Sequence, residues 1–567
     1  MTALLTDNLP LLAAAPNGIK KLRELILELA VRGKLVPQDP SDEPASELLK
    51  RIAEEKARLV VDGSTKKQKQ LPGITQDETP FDVPAGWCWV RMGAVGETNI
   101  GLTYSPSDVG GIGIPVLRSS NVQKGQIDLS DLVRVDMLVK DSALVQEGDL
   151  LICARNGSKA LVGKTAMISN LTEPMAFGAF MAIFRSQLNP YLLRFINSPL
   201  FRKVIDDVNT TTINQITQNN LRTTLLPLPP LAEQHRIVAK VDELMALCDR
   251  LEAQQAGAES AHAQLVKALL DSLTQANDAT EFATNWQRLA EHFHTLFTTE
   301  PSIDALKQTV LQLAVMGKLG PQHTSDEPAS ELLARIAEEK SHLVAEGKIR
   351  KQKSLAEIMD EEKPYELPTS WQWCRLGSQV VESGAGWSPS CEPRPREGAE
   401  WGVLKVSAVS WGAYKPEENK ALPASLEART EHEVRDGDFL ISRANTAELV
   451  ARSVVVETTP HNLMLSDKIV RLKLTLLCAR RYVNLANSTL WARDYYSQVA
   501  GGTSSSMKNV SRDQILNLPI ALPPLAEQHR IVAKVDQLMH QCETLMQKII
   551  ATNAKQSELL NALIEQV

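Results

Sequence analysis

Apolar residues recur at helical spacing near the start of the chain, where they predict a pair of short helices. One face of the first helix is formed by Leu22, Leu25, Ile26 and Leu29. Gly33 follows as a suitable C-cap, and Ser41 or Asp42, together with Pro44, is expected to open the second helix. The opening segment is therefore predicted to be helical.

A longer helical pattern begins after Pro229 and Pro230, with apolar residues at alternating spacings of four and three. Two such seams exist, one at Ile237, Val241, Leu244, Cys248 and Leu251 and the other at Ile531, Val535, Leu538, Cys542 and Leu545. At about 1.5 Å per residue, roughly 40 residues make a rod of about 60 Å. Because an apolar seam needs a surface to cover it, we predict that the two helices pair. The alternative is that each helix packs on its own half of the chain.

Short β-branched runs between Gly, Asn and Asp turns predict strands in two further segments. The runs are 114–117, 149–153 and 165–169 in the first segment, and 403–406, 438–442 and 453–456 in the second. We therefore expect each segment to form a compact α/β domain with much strand and loop.

The chain consists of two copies of one plan. The block SDEPASELLKRIAEEKARLV at 41–60 returns at 325–344 with three differences, and LPPLAEQHRIVAKVD at 228–242 returns unchanged at 522–536. The strand-rich segments between these blocks differ, which predicts a duplicated module with a variable insert. The predicted parts are a helical repeat A1 (1–93), a variable domain X1 (94–225), a long helix B1 (226–280), a connector (281–302), a second helical repeat A2 (303–377), a second variable domain X2 (378–518) and a second long helix B2 (519–567).

The composition, 43% hydrophobic and 23% charged over 567 residues, is typical of a large globular protein. No apolar run approaches the roughly 18 to 20 residues that cross a bilayer, and the N-terminus lacks the basic start of an export signal, so we expect a cytoplasmic protein. Seven scattered cysteines without a C-x-x-C pair indicate free thiols. The net charge of −7 does not by itself indicate nucleic-acid binding, although X1 and X2 each carry +1.

Residue types that carry catalysis or bind metals do not form a recognisable site in the sequence. SKALVGKT at 158–165 is similar to a phosphate-binding loop, but Ser158 replaces its first Gly and a strand-like run follows instead of a helix. The histidines lack partners at metal-ligand spacing. Neither a G-x-S-x-G elbow nor the Asn/Asp-Pro-Pro-aromatic tetrapeptide of adenine methyltransferases occurs. We therefore predict a non-catalytic chain without a metal site or a cofactor of its own.

Polar residues follow the predicted strands at matching places in X1 and X2. Arg, Asn, Gln, Ser and Thr side chains read base edges and hold phosphates, and Lys or Arg adds electrostatic attraction. The candidate DNA-binding residues are Tyr104, Arg118, Ser119, Ser120, Asn121, Arg155, Asn156, Ser158, Lys159, Lys164, Thr211, Asn214 and Gln215 in X1, and Trp387, Lys405, Arg443, Asn445, Thr446, Arg452, Ser505, Lys508 and Asn509 in X2. The alternative is that the polar turns are solvated loops and the aromatic residues belong to the core. The shared layout favours DNA binding.

These motifs resemble those of the specificity (S) subunits of type I restriction-modification systems. The matching residues are the duplicated L-P-P-L-A-E-Q-x-R-I-V-x-K-V-D blocks, G-D-L-L-I-C-A-R-N-G in X1, G-D-F-L-I-S-R-A-N-T in X2, and W-S-P-S near the start of X2. The A segments, with S-D-E-P-A-S-E-L-L, are most similar to the type IB branch. X1 departs from the family pattern at Tyr104, where the pattern has Trp, and at Cys153.

The resemblance implies an α+β fold with two pseudo-twofold-related α/β target recognition domains, joined by long helices that form an antiparallel coiled coil. It also implies that X1 and X2 each read one half of a two-part double-stranded DNA site with an unspecified spacer. The implied partners are two modification (M) subunits and restriction (R) subunits, which would carry S-adenosylmethionine, ATP and Mg. Two other classes stay open: a coiled-coil scaffold or partner-docking protein without DNA readout, and a self-contained methyltransferase or nuclease.

Overall fold

The computed structural model describes residue 13 and residues 15–62, 70–208, 214–410, 413–504 and 507–565. The chain divides into two compact units: unit 1 consists of residues 1–259 and 552–567, and unit 2 of residues 260–551. Each unit combines helices with mostly antiparallel sheets, which makes the fold α+β. No helix in the described ranges has the length and hydropathy of a bilayer-crossing segment.

The helices are α1 Gly18–Val31, α2 Ala45–Val61, α3 Met92–Val95, α4 Asn189–Ile196, α5 Pro199–Val208, α6 Gln218–Thr223, α7 Leu231–Gln275, α8 Ala279–Glu291, α9 Phe293–Leu296, α10 Glu300–Val315, α11 Ala329–Ala345, α12 Arg480–Asn487, α13 Leu490–Val499, α14 Arg512–Leu516 and α15 Leu525–Glu565. The segment predicted as a connector (281–302) is itself largely helical, since α8 and α9 fall within or overlap it.

The strands of unit 1 are β1 Cys88–Arg91, β2 Glu97–Ile100, β3 Val109–Leu117, β4 Val122–Gln123, β5 Gln126–Ile127, β6 Val133–Val135, β7 Leu150–Cys153, β8 Thr165–Met167, β9 Ala176–Phe177, β10 Met181–Arg185 and β11 Leu225–Leu228. They form a four-stranded sheet in the order β2-β10-β7-β8, a three-stranded sheet β6-β3-β9, and the pairs β1-β11 and β4-β5. Only the β3-β9 pairing within these sheets is parallel in the described part of unit 1.

The strands of unit 2 are β12 Gln372–Arg375, β13 Val380–Ala385, β14 Gly402–Leu404, β15 Val409–Ser410, β16 Ala413–Tyr414, β17 Asn419–Ala421, β18 Phe439–Ser442, β19 Ala444–Asn445, β20 Ser453–Val455, β21 Leu463–Met464, β22 Ile469–Leu474, β23 Gly501–Ser504, β24 Met507–Asn509 and β25 Pro519–Leu522. The sheets β13-β22-β18-β20 and β17-β14-β21 and the pairs β12-β25 and β15-β16 repeat the topology of unit 1. Unit 2 adds a sheet β19-β24-β23. The two variable domains therefore share one topology despite their different sequences.

Strand β7 lies at the centre of the unit 1 fold and is buried on both faces. Leu150 and Ile152 belong to the core that also contains residues of α4 and α5, whereas Leu151 and Cys153 belong to the core shared with β3 and β9. Side chains alternate between the two faces of a strand, so an uninterrupted apolar run is the pattern of a strand covered on both sides. The run of four apolar residues thus places β7 between a helical layer and a second sheet.

The start of the chain confirms the first predicted helix and corrects how the second one begins. Gly33 follows α1 with a φ of 69°, a left-handed conformation that suits glycine at a helix end. Pro44 is the N-cap of α2, and no side chain caps this end. Ser41 or Asp42 was expected there, but Asp42 instead pairs with Arg236 of α7 at 2.6 Å. The Asp42 carboxylate is bound by Arg236 of α7 and therefore does not cap α2.

The repeated blocks meet in a polar network that is the same in both halves. The indole N–H of Trp87 donates to buried Glu233 at 2.9 Å, and that of Trp371 donates to Glu527 at 3.0 Å. Burial raises the pKa of both Glu233 and Glu527, while the indole hydrogen bonds lower it. The matching sequence blocks are therefore explained by a shared docking of each long helix onto the strand that precedes its variable domain.

Replacing Trp87 by Phe is expected to destabilise unit 1 by about 1 to 3 kcal/mol, because Glu233 loses a donor while staying buried. The pKa of Glu233 in the folded state should then rise further above its unfolded value of about 4.3. The cost should accordingly be smaller at a pH at which Glu233 is protonated in both folded proteins and grow as the pH rises through the raised pKa of Glu233 in the folded state, which urea unfolding at pH 5 and pH 8 would measure. Trp286→Phe, at a 38% exposed position, is the control. A pH-independent cost would contradict this account.

Both long helices of the prediction are present, with 45 residues in α7 and 41 in α15. The first turns of each pack within one half of the chain: the seam residues Ile237, Val241, Leu244 and Cys248 lie in the same core as α1, and Arg23 of α1 pairs with Asp249 at 2.7 Å. This is the alternative foreseen from the sequence. The last turns belong to the other unit, since residues 260–275 of α7 are part of unit 2 and residues from 552 onward are part of unit 1.

The second seam has the same arrangement inside unit 2. Its buried residues Ile531, Val535 and Cys542 share a core with α10, and Val266 and Leu270 from the end of α7 lie in that core too. Leu251, Leu538 and Leu545 are the partly buried members of the two predicted seams. Pairing of the two long helices along their whole length stays a prediction.

Candidate nucleic-acid interface

Three backbone segments of unit 1 are tied together where β7 ends. The N–H groups of Ala154 and Arg155 both donate to the carbonyl of Phe180, at 2.9 and 3.0 Å. Asn156 donates to the carbonyl of Asn214 at 3.2 Å, which brings the loop before α6 against the same segment. Residues far apart in sequence therefore form one surface at the end of the four-stranded sheet.

Six predicted DNA-binding residues line one cleft at this surface, which has a volume of about 990 Å³. They are Tyr104, Arg118, Ser119, Ser120, Arg155 and Gln215. Phe180 also lines the cleft, with 59% of its surface exposed, and was not among the predicted residues. The structure thus gathers cationic, hydroxyl, amide and aromatic side chains in one concave site.

The charged groups of the cleft differ in how firmly they are held. Arg118 pairs with Asp131 at 2.9 Å, whereas the Arg155 guanidinium lies 5.3 Å from the centre of the Phe180 ring. Lys164 reaches the rim indirectly: its ammonium lies 3.4 Å from the Gln123 side-chain oxygen. Since the Gln123 amide donates to the carbonyl of Ser120, this lysine is linked to the serine turn.

Some predicted contacts have a structural role instead. Asn121 is 1% exposed, and its amide donates to the carbonyls of Asp128 and Asp131, so it holds a turn and is not available to DNA. Its selection as a DNA-binding residue was wrong, because a buried amide must satisfy its own hydrogen bonds inside the protein. Lys159 is exposed but pairs with Asp206 of α5 at 3.1 Å.

The remaining predicted residues of unit 1 lie beside the cleft or beyond the described ranges. The Asn156 side chain accepts from the Ser158 N–H at 3.0 Å, and the Asn214 amide donates to the Gly157 carbonyl at 3.0 Å. These contacts close the loop that follows β7. Thr211 lies outside the described residues.

The corresponding turn of unit 2 has a different side chain at its tip. The Arg443 N–H donates to the carbonyl of Lys468 at 2.8 Å, as the Ala154 N–H does to that of Phe180. Each tip residue directly precedes the strand that begins at Met181 in unit 1 or Ile469 in unit 2. Lys468 therefore occupies the place of Phe180.

The polar loop of unit 1 and that of unit 2 also correspond in position. Arg155 forms an isolated antiparallel bridge with Gln215, and Ala444 pairs with Asn509 in the sheet β19-β24-β23. Asn509 thus stands where Gln215 stands, and Lys508 where Asn214 stands. The residues predicted from two unlike sequences, NTTTINQITQNNLR and GGTSSSMKNVSR, occupy equivalent positions.

Other predicted residues of unit 2 are more engaged with the protein. Lys405 lies 3.4 Å from a carboxylate oxygen of Glu418. Trp387 is half-buried on an apolar cluster, and the Arg429 guanidinium lies 4.3 Å from the centre of the Trp387 ring. Burial lowers the pKa of Arg452, which precedes β20 as Lys164 precedes β8.

Four further predicted positions complete unit 2. Asn445 pairs with Lys508 in the sheet β19-β24-β23, and the Lys508 ammonium donates to the carbonyl of Gly502 at 2.8 Å. Thr446 is half-buried in the turn that follows β19. Ser505 lies outside the described residues.

The structure explains the Gly-Asp pair that begins G-D-L-L-I-C-A-R-N-G in X1 and G-D-F-L-I-S-R-A-N-T in X2. Gly148 and Gly437 have φ values of 82° and 83°, which suit glycine. Asp149 is 1% exposed and pairs with Arg185 of β10 at 2.6 Å, and Asp438 pairs with Arg471 of β22 at 3.1 Å. The pair therefore anchors the central strand, so that the residues after it are held in place. Across the described ranges, no group of three or more His, Cys, Asp or Glu residues is arranged to hold a metal ion.

Comparison with known proteins identifies the family. A family model described as the type I restriction modification DNA specificity domain matches residues 84–258 and 482–552. The chain is 42% identical to the type I restriction enzyme EcoEI specificity subunit of Escherichia coli, over 97% of this chain and 93% of that protein. The chain belongs to the type I restriction enzyme specificity subunits.

A second relative of this specificity subunit agrees with that assignment, and a solved structure shares its fold. It is 39% identical to the EcoAI specificity subunit of Escherichia coli, over 96% of its own length and 92% of the relative's. A chain from a solved structure, described as "Structural basis underlying complex assembly and conformational transition of the type I R-M system", matches the fold of this specificity subunit with a TM-score of 0.52. That match has 18% identity and covers 86% of this chain and 98% of the other.

The family assignment decides between the classes left open by the sequence. A specificity subunit recognises the DNA target of a type I system and is not its catalytic component. The alternatives of a scaffold without DNA readout and of a self-contained methyltransferase or nuclease are therefore overturned. The resemblance noted from the duplicated blocks is confirmed.

Proposed function

We propose that this specificity subunit reads a two-part DNA target, one part through the cleft surface of unit 1 and the other through the equivalent surface of unit 2. The observation that carries the proposal is that the two units place different side chains at equivalent backbone positions. Gln215 and Asn509 occupy the same place, as do Phe180 and Lys468. Amide and cationic side chains on one scaffold discriminate different base edges when their identities differ.

The proposal extends to partners. Two modification subunits and, in the restricting form, restriction subunits assemble with this chain in the cytoplasm. S-adenosylmethionine, ATP and Mg belong to those partners, and methylation of an adenine in each half-site is their chemistry. The chain's overall acidity fits such an arrangement, because a net charge of −7 favours weak binding of DNA by the subunit alone.

Mapping methylated adenines in a host genome, with and without this chain beside its modification subunit, tests the proposed function. We expect a motif of two short specific parts separated by unspecified bases, present only with the chain. A continuous motif, or the same motif without the chain, would contradict the proposal.

The long helices are proposed to set the spacer between the two parts. Residues 252–261 of α7 are exposed, so the helix leaves one core there before it joins the other. Inserting four residues near Gln255 and four near Ala551 lengthens each helix by about 6 Å. We expect the permitted spacer to grow by roughly one to two base pairs of about 3.4 Å each, with both half-sites unchanged. Methylation mapping of the variant measures this, and altered half-sites at a constant spacer would refute it.

A further inference from the structure

Arg155 and Phe180 form a pair at the rim of the unit 1 cleft. The Phe180 ring is largely exposed, and the Arg155 guanidinium lies 5.3 Å from its centre. A guanidinium over an aromatic face is attracted by the ring's electrons. At an exposed site this attraction favours the paired arrangement over the unpaired one by about two- to fivefold. With 59% of its surface exposed, Phe180 is not part of the buried core.

The backbone holds the two residues in register. The Arg155 N–H donates to the carbonyl of Phe180 at 3.0 Å, and the Met181 N–H donates to Gly178 at 2.8 Å, which closes the turn beneath the ring. On its other side Arg155 is bridged to Gln215. The Arg155 side chain therefore starts from a position fixed on both sides, with the ring limiting where its guanidinium can lie.

The Arg155 guanidinium has not been neutralised by the protein. Arg118 pairs with Asp131, Arg185 with Asp149 and Arg134 with Glu173, but no carboxylate of the described residues forms an ion pair with Arg155. A guanidinium held by a ring keeps all its N–H donors for another acceptor, because an aromatic face takes none of them in the plane of the group.

We propose that Phe180 is a positioning residue that holds the Arg155 guanidinium for paired hydrogen bonds to the edge of a guanine in the half-site read by unit 1. This inference rests on the proposed function and names the chemistry of one position in that half-site. Arginine donates two hydrogen bonds to O6 and N7 of guanine in the major groove, a contact that discriminates against the other bases by roughly fivefold to 150-fold. Gln215, next to Arg155, faces the neighbouring position.

Unit 2 lacks this pair. Ala444 stands in the place of Arg155 and Lys468 in that of Phe180. Lys468 is exposed, and a lysine on a turn suits a phosphate rather than a planar base edge. The guanine contact of this kind is accordingly assigned to one half-site only.

Binding of randomised DNA tests the inference, with the chain assembled with its modification subunit and both half-sites randomised in turn. Arg155→Ala should lose the preference for guanine at one position of one half-site, by roughly fivefold to 150-fold. Phe180→Leu, which keeps apolar bulk and loses the ring, should weaken the same preference about two- to fivefold, and Phe180→Tyr should restore it. Lys468→Ala is the matched control and should leave that position unchanged while lowering the salt dependence of binding.

The outcomes separate the inference from the proposed function. If the unaltered complex shows no sequence preference in either half-site, the proposed function fails. If it is specific but Phe180→Leu leaves every position unchanged, the positioning role fails alone. Weakening that is equal at all positions, or Phe180→Tyr behaving as Phe180→Leu does, also overturns the role of the ring. Unchanged preference at the other positions of the half-site read by unit 1 shows that unit 1 of the Arg155 and Phe180 variants is folded.

Discussion

Replacing Arg185 by Met is expected to destabilise the variable domain of unit 1 by about 3 to 5 kcal/mol, because it leaves the carboxylate of Asp149 buried without its partner. Asp149 is 1% exposed and receives two hydrogen bonds from the Arg185 guanidinium, at 2.8 and 2.6 Å. Urea unfolding of the whole chain, with hydrogen exchange of β7 and β10 to locate the change, measures the loss.

A second substitution separates the buried charge from simple loss of packing. Asp149→Asn combined with Arg185→Met removes both charges, while the amide oxygen can still accept the Gln146 N–H that Asp149 now accepts at 2.8 Å. The double variant should recover most of the lost stability. Arg471→Met should have the matching effect in unit 2, where Arg471 pairs with Asp438. A double variant as unstable as Arg185→Met would contradict the explanation.

Replacing Asn214 and Gln215 together by Ala is expected to relax the target sequence in the half-site of unit 1 only. Each side chain that reads a base edge discriminates by about 1 to 3 kcal/mol, so the preference at each affected position should fall by roughly fivefold or more. The variant loses the bond from the Asn214 amide to the Gly157 carbonyl, but two backbone contacts of this loop remain, the bridge of Gln215 to Arg155 and the bond from the Asn156 N–H to the Asn214 carbonyl. Methylation mapping or binding of randomised DNA measures the change.

The equivalent pair in unit 2 is the matched control for this prediction. Lys508→Ala with Asn509→Ala should alter the other half-site and leave the first unchanged, because these residues occupy the corresponding positions. Loss that is equal for every DNA sequence would mean that the residues contact only the backbone of DNA. A change in the wrong half-site would contradict the assignment of unit 1 and unit 2 to separate halves.

Much of the fold was predictable because the chain repeats itself. The heptad seams marked α7 and α15, and the run 149–153 marked a strand, which the structure shows to be buried on both faces. Strands of two residues such as β4 and β9 have no periodicity of their own and depend on their partners, so local pattern did not reveal them. The cover of the first seam was also not predictable from spacing, since a heptad face fits α1 as well as another long helix.

The candidate site was predicted in part, for reasons that differ by residue. Arg155 and Gln215 stood out as polar residues after strands, and the structure brings them together. Phe180 was missed because the surrounding run, Met175 to Ala182, is mostly apolar and suggests only buried positions. Asn121 was chosen by residue type, which carries no information about burial. Comparing the two turns, Gly-Ala-Phe and Ser-Asp-Lys, is the signal that would have found Phe180.

The end of the chain is a working part of unit 1. Lys21 of α1 bonds to Asn561, and Ile564 packs against the unit 1 core. Ribosomes add about 5 to 20 residues per second, so roughly 15 to 60 seconds separate residue 259 from the arrival of residues 552–567. During that time the apolar surface of unit 1 that contacts the last turns of α15 is not yet covered by them. Unit 1 therefore becomes complete only after residues 260–551, which form unit 2, have been synthesised.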